Sequence, residues 1–221
     1  MLRCKTNLGA MHPNRTSIRY RNSEQSRADL GGPFRGKRTE WAKQECAEQG
    51  TNGPERGSKG AVKVAIEKAT FGAGCFWGVE ARFAEMPGVL DTAVGYEGGD
   101  LEHPTYKEVC TDRTGHAEVV EVTFDPSRLS YDTLLDAFFA MHDPTQMNRQ
   151  GPDWGSQYRS VIFAQSAEQG EQAKAKIAEL NATGAYRKPI ATQLVPSTVF
   201  WKAEEYHQRY LEKRGMVSCH I

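Results

Sequence analysis

The sequence predicts an α+β domain, a mixed sheet with helices packed on it in two layers, behind a basic tail that does not fold. Three observations predict it. From Val62 onward, segments with strand and helix character follow in the order strand, helix, strand, strand, helix, strand, helix, strand, helix. Residues 1–60 show scattered apolar residues (Leu8, Ile18, Leu30, Phe34, Trp41) with no sustained period of 2 or 3.6. Those 60 residues carry 12 Lys and Arg against 6 Asp and Glu, whereas the rest carries 16 against 22. A disordered tail, 1–60, and one domain, 61–221, follow from these contrasts.

Within the domain, Val62 to Phe71 has strand composition and runs into Gly72-Ala73-Gly74-Cys75. A helix follows from about Phe76 to Ala84 and stops at the breaker pair Pro87-Gly88. Val89 to Tyr96 is a strand ended by Glu97-Gly98-Gly99-Asp100, and Tyr106 to Cys110 is a short strand in a polar loop. His116 to Phe124 is a strand closed by Asp125-Pro126-Ser127. Ser130 caps a helix whose Leu134, Leu135, Phe138 and Phe139 form one apolar stripe. A long loop, Thr145 to Ser156, reads as functional, because unstructured stretches of that length are uncommon inside a compact domain. Tyr158 to Ala164 is a strand, Ser166 with Gln169 makes a capping box for a helix to about Leu180, and Ile190 to Val195 is a strand. Lys202 to Arg214 is the last helix, with a tail from Gly215 to Ile221.

The chemistry centres on Cys75, between a strand and a helix start. Orphan amides and the positive end of the helix dipole favour thiolate there, and Phe76 and Trp77 supply an apolar wall beside it. A soft nucleophile against an apolar wall suggests a sulfur substrate. Glu118 shares strand parity with Val120, Val122 and Phe124, which turns its carboxyl to the apolar face, while Glu121 faces water. Desolvation there keeps a carboxyl protonated near neutrality and fit to act as a general acid; the alternative is a strand-end acid that escapes to solvent. Phe76, Trp77, Tyr106 and Tyr158 read equally as core aromatics, although each tyrosine has an O–H to offer a substrate oxygen.

Taken in series these residues resemble the peptide methionine sulfoxide reductase A family. The resemblance is carried by Gly72-Ala73-Gly74-Cys75-Phe76-Trp77-Gly78, Gly95-Tyr96, Pro104-Thr105-Tyr106-Lys107-Glu108-Val109-Cys110 and Thr114-Gly115-His116-Ala117-Glu118-Val119-Val120. It continues in His142-Asp143-Pro144-Thr145-Gln146, Gly151-Pro152-Asp153-Trp154-Gly155-Ser156-Gln157-Tyr158-Arg159-Ser160 and Glu204-Glu205-Tyr206-His207-Gln208. It covers about residue 66 to the end and implies an α/β plait, a ferredoxin-like core with a mixed sheet. It implies reduction of the S epimer of methionine sulfoxide, free or protein-bound, with no cofactor. Cys75 would be the nucleophile, Glu118 the general acid, Tyr106 and Tyr158 the holders of the sulfoxide oxygen, and Phe76 and Trp77 the methyl pocket. Asp153 would line the site, and His207 would stand behind it. Cys219, on a mobile segment 215–221, would resolve a Cys75 sulfenic acid as a disulfide recycled by thioredoxin. With no cysteine after Cys219, no second relay follows. Cys110 reads as an inert buried strand cysteine.

Other classes fare worse. A thiol hydrolase would need His207 or His116 as base, and a carboxyl on an apolar face orients neither. A thiol-disulfide oxidoreductase would need a Cys-x-x-Cys that the chain lacks, and Cys110 with His116 has no recognised metal-ligand spacing. A non-catalytic module could use the Phe76 and Trp77 wall alone, and alkylation of Cys75 would spare it. Nucleic acid is a poor partner for an acidic domain, and no stretch approaches the 18 apolar residues of a membrane span. Five cysteines without paired spacing point to a reducing compartment, and the expected state is a cytoplasmic monomer. Residues 1–23, with five basic residues and no acid, also suit an organelle transit peptide or a start codon read too early.

Overall fold

The computed structural model describes residues 65–216. The tail 1–60, the first residues of the expected opening strand and Cys219 lie outside the described residues.

The described elements are β1 (Glu67–Ala73), α1 (Phe76–Ala84), β2 (Val89–Glu97), α2 (Tyr106–Val109), β3 (Ala117–Phe124), α3 (Tyr131–Met141), β4 (Arg149–Gln150), β5 (Asp153–Trp154), β6 (Ser160–Ala164), α4 (Ala167–Ala182), β7 (Gln193–Pro196) and β8 (Trp201–Lys202). They build a mixed α/β domain on one six-stranded sheet, ordered β7-β6-β1-β3-β2-β8, with β4 and β5 as a separate hairpin. Only β6 and β7 run parallel, as the α4 crossover between them requires.

The even face of β3 carries Val120, Val122 and Phe124 into the main core, joined by Phe71, Phe83, Leu134, Leu135 and Phe138. Phe71 stacks on Phe83 and Phe138 at 5.1 and 5.2 Å between ring centres, so β1 is clamped between α1 and α3. Ala117 and Val119, on the opposite parity, join Val161 and Phe163 in a smaller cluster on the other side. Both faces of β3 are therefore covered at its start, and a charged side chain placed there is buried.

Several expectations require correction. Tyr106–Cys110 is not a strand: Thr105 and Glu108 form a reciprocal capping box that nucleates α2, and Cys110 is its half-exposed C-cap rather than a buried strand residue. Tyr158 belongs to a 3₁₀ turn, Ser156–Tyr158, ahead of β6. The capping box at Ser166 is half formed. Ser166 accepts the Gln169 N–H, but the Gln169 side chain reaches past it to accept from Gln165 N–H and donate to the Lys68 carbonyl. The loop from 145 to 156 contains the β4–β5 hairpin.

The largest departure is 202–214, which is β8, a series of turns and a 3₁₀ turn, Glu212–Arg214, instead of a helix. Side-chain to backbone bonds replace the helix ladder. Gln208 accepts the Val94 N–H at 2.9 Å and donates to the carbonyls of Val94 and Ala203, continuing the sheet edge where β8 ends. The Arg209 N–H donates to Glu80 at 2.8 Å, and Arg209 sits at φ +49°, which interrupts any helix.

Candidate active site

The site forms where the ends of β1, β3 and β6 meet. Ala73 pairs with Ser160 and Gly72 with Val161, which brings the Cys75 turn beside the start of β6 and the Tyr158 turn before it. Gly72 is required by this crowding: a β-carbon there would lie 2.8 Å from Val161 Cγ1 and 3.1 Å from the Glu118 carbonyl oxygen. At Gly74, φ is +94° and a β-carbon would meet the Gln150 side chain at 2.8 Å, so β4 supports the turn into α1.

Cys75 is the N-cap residue of α1 and is partly exposed. The next amide, Phe76 N–H, donates to Glu118 Oε2 at 3.2 Å. A helix-terminal orphan amide is thus satisfied by the acid on β3, which brings Cys75 and Glu118 into one site. Glu118 is 1% exposed. Burial pushes its pKa up to about 8, against the lowering effect of the Phe76 amide, and the nearby Asp153 charge pushes it further up. Asp153, half-buried on β5, is itself raised by burial. Near neutral pH the Glu118 carboxyl is protonated, on the amide that follows Cys75.

The aromatic wall is built from three segments. Phe76 is buried against Tyr96, the cross-strand neighbour of Glu118, and against the His207 ring at 5.2 Å. Trp77 donates its indole N–H to His207 Nδ1 at 3.1 Å and stacks on Tyr210 at 3.9 Å. Tyr106 also lies against His207, 4.5 Å between ring centres. Burial lowers the His207 pKa, partly offset by Glu204. The indole bond to Nδ1 puts the proton of the neutral ring on Nε2, which faces Glu204 at 3.9 Å. Tyr158 is buried, and its turn packs on β3, the strand of Glu118. The following residue, Arg159, donates to the carbonyls of Ser156 and Gly115, tying that turn to the segment that leads into Glu118.

Cys75, Phe76, Trp77, Tyr106, Glu118, Asp153, Tyr158 and His207 therefore cluster around the Cys75 end of the sheet. Neither histidine is poised as a thiol base: the Nδ1 of His207 accepts the Trp77 indole N–H, and His116 accepts from Gly99 N–H and bonds the Leu101 carbonyl, which also leaves it no nitrogen for a metal. Tyr96, Glu204 and Tyr210 are members that sequence reasoning missed. Tyr210 was hidden by the helix expected over 202–214, whereas Tyr96 and Glu204 stood in the motifs Gly95-Tyr96 and Glu204-Glu205-Tyr206-His207-Gln208, which gave them no role of their own.

A cysteine at a helix start, with a neutral carboxyl on the adjoining amide and an aromatic wall, defines a layout for thiol chemistry with proton donation. A family model described as peptide methionine sulfoxide reductase matches residues 67–221. The peptide methionine sulfoxide reductase MsrA of Acidobacterium capsulatum is 64% identical over 156 residues, which cover 71% of this chain and 100% of that protein. That of Methanoculleus marisnigri is 58% identical over 159 residues, covering 72% and 97%. Among solved structures, methionine sulfoxide reductase A of Corynebacterium diphtheriae aligns with a TM-score of 0.61 at 40% identity, covering 70% of this chain and 77% of that one. The reduced form of Mxr1 from Saccharomyces cerevisiae aligns with a TM-score of 0.65 at 36% identity, covering 70% and 89%. The chain belongs to the peptide methionine sulfoxide reductase family, MsrA, and is an oxidoreductase.

Proposed function

We propose that the protein reduces the S epimer of methionine sulfoxide through a sulfenic acid on Cys75 and a Cys75–Cys219 disulfide. The Cys75 thiolate attacks the sulfoxide sulfur while Glu118 delivers a proton to the oxygen, which Tyr106 and Tyr158 orient. The sulfoxide sulfur is reduced by two electrons and leaves as methionine. The Cys75 sulfur is oxidised by two and keeps the oxygen as a sulfenic acid. The Cys219 thiol then attacks Cys75, an S–S bond forms and water departs. A thioredoxin-like dithiol restores both cysteines by exchange. Phe76 and Trp77 take the methyl group, and separate methyl and oxygen sites let a stereogenic sulfur enter in one hand only. The observation that carries the reading is the bond from the Phe76 amide to a buried, protonated Glu118.

The domain that performs this is 61–221. We read its core as the α/β plait, on the β1–α1–β2–β3–α3–β6 succession and the order β6-β1-β3-β2 within the sheet. Gly215, at φ +62°, closes the 3₁₀ turn Glu212–Arg214, and we propose that the segment after it carries Cys219 to Cys75. The test is incubation with each sulfoxide epimer and dithiothreitol, followed by mass analysis of product and protein. The S epimer should yield methionine and the R epimer should not. Equal conversion of both would remove the assigned pocket.

A further inference from the structure

Several contacts of the aromatic wall converge on one side chain not yet given a role, Glu204. Its Oε1 accepts the Tyr106 N–H at 3.0 Å and its Oε2 accepts the Tyr96 O–H at 3.0 Å. The same carboxylate faces His207 Nε2, a buried nitrogen with no hydrogen-bond partner among the described residues. Through His207 it is one contact from the Trp77 indole, and through Tyr96 one contact from both Phe76 and the strand position opposite Glu118.

We propose that Glu204 is a positioning residue for sulfoxide reduction: its carboxylate, bonded to the Tyr106 N–H and the Tyr96 O–H, fixes Tyr106 relative to Cys75 and Glu118. The requirement is for an anion with two acceptor oxygens, because every group facing it is a donor. Those donors and His207 hold its pKa below the usual carboxylate value despite partial burial. A glutamine would turn an NH₂ toward one of the donors, releasing either Tyr106 or the Tyr96–His207 side. The proposal rests on the reading that Tyr106 orients the sulfoxide oxygen.

The test is a first-turnover measurement of methionine formation by the full chain, in a double-mutant cycle of Glu204→Gln with Tyr106→Phe and, for contrast, with Tyr158→Phe. Glu204→Gln alone should slow the first turnover by about 10-fold with an unchanged circular dichroism spectrum, a loss of the size small misplacements cause. In the Tyr106→Phe background the same change should cost less than about 2-fold, and in the Tyr158→Phe background it should keep its full effect. A full 10-fold loss in the Tyr106→Phe background, or a wild-type first turnover for Glu204→Gln, overturns the positioning role. A Tyr106→Phe protein that turns over at the wild-type rate sinks the reading of Tyr106 itself, and that single variant tells the two failures apart. If Glu204→Gln does not fold, Glu204→Asp, which withdraws the charge by one methylene, enters the same cycle with the same expected pattern.

Discussion

A carboxylic acid buried to 1% exposure is costly to retain, and Glu118 retains its proton to reduce that cost. Three predictions belong to this residue, two on rate and one on stability. As an acid that must be protonated to act, it should make the first turnover decline as pH rises through about 8, with a slope of one proton. Glu118→Ala should slow oxygen loss by about 10² to 10⁴-fold and Glu118→Gln only mildly, since an amide still hydrogen-bonds the oxygen. Rapid-quench rates across pH 6 to 10 would check both. The stability prediction follows from the raised pKa. Between the ordinary value of 4.5 and about 8, the unfolded chain has lost this proton while the folded chain keeps it, so stability falls as pH rises across that window. Glu80, buried on α1 and raised to about 7, adds to the slope in the same direction. Glu118→Gln should therefore be more stable than wild type at pH 8, by about 3–5 kcal/mol in urea unfolding, and nearly equal to it at pH 4.

At the scale of elements, the sequence was most legible where local chemistry and burial agree. Phe76–Ala84 begins and ends where the apolar spacing and the Pro87-Gly88 break put it, and Ser130 caps α3 through the Thr133 amide. It was least legible where distant side chains supply the hydrogen bonds. Nothing in the pattern of residues 202–214 announces that Gln208 will serve as a sheet partner for Val94, or that Glu80 will accept the Arg209 amide. Similarly, Tyr106–Cys110 has strand-forming residues, but the Thr105–Glu108 box decides for a helix. Gln208→Ala should consequently destabilise the fold by about 2–4 kcal/mol, because it leaves the Val94 N–H without its acceptor and the Ala203 carbonyl without the Gln208 donor. Gly72→Ala, with no room beside Val161 and the Glu118 backbone, should cost about 1–3 kcal/mol and spread Cys75 from Glu118, so activity should fall further than stability does. Denaturation midpoints and first-turnover rates of each variant test these statements.

At the scale of the whole molecule, the sheet order makes the site. Placing β1 between β3 and β6 sets three strand ends side by side, so that Cys75, Glu118 and the Tyr158 turn, far apart in sequence, meet at one end of the domain. Parity alone gave the burial of Glu118, but only the pairing of β1 with β3 and the Phe76 amide give its proximity to Cys75. Recycling belongs to this scale as well. Cys219→Ser should complete one turnover and then stall with a thioredoxin-like reductant, while a small thiol restores activity; sustained thioredoxin-driven turnover by that variant would rule out the relay.

The most direct test of the central claim, a sulfur at position 75 that takes the sulfoxide oxygen, is a trapping experiment. Cys219→Ser is mixed with one equivalent of methionine S-sulfoxide and a sulfenic-acid-specific nucleophile, and the digest is mapped by mass spectrometry. One methionine released per adduct, with the adduct on Cys75, is the predicted result. Methionine formed in equal yield by Cys75→Ser, or an adduct on any other residue, would contradict it.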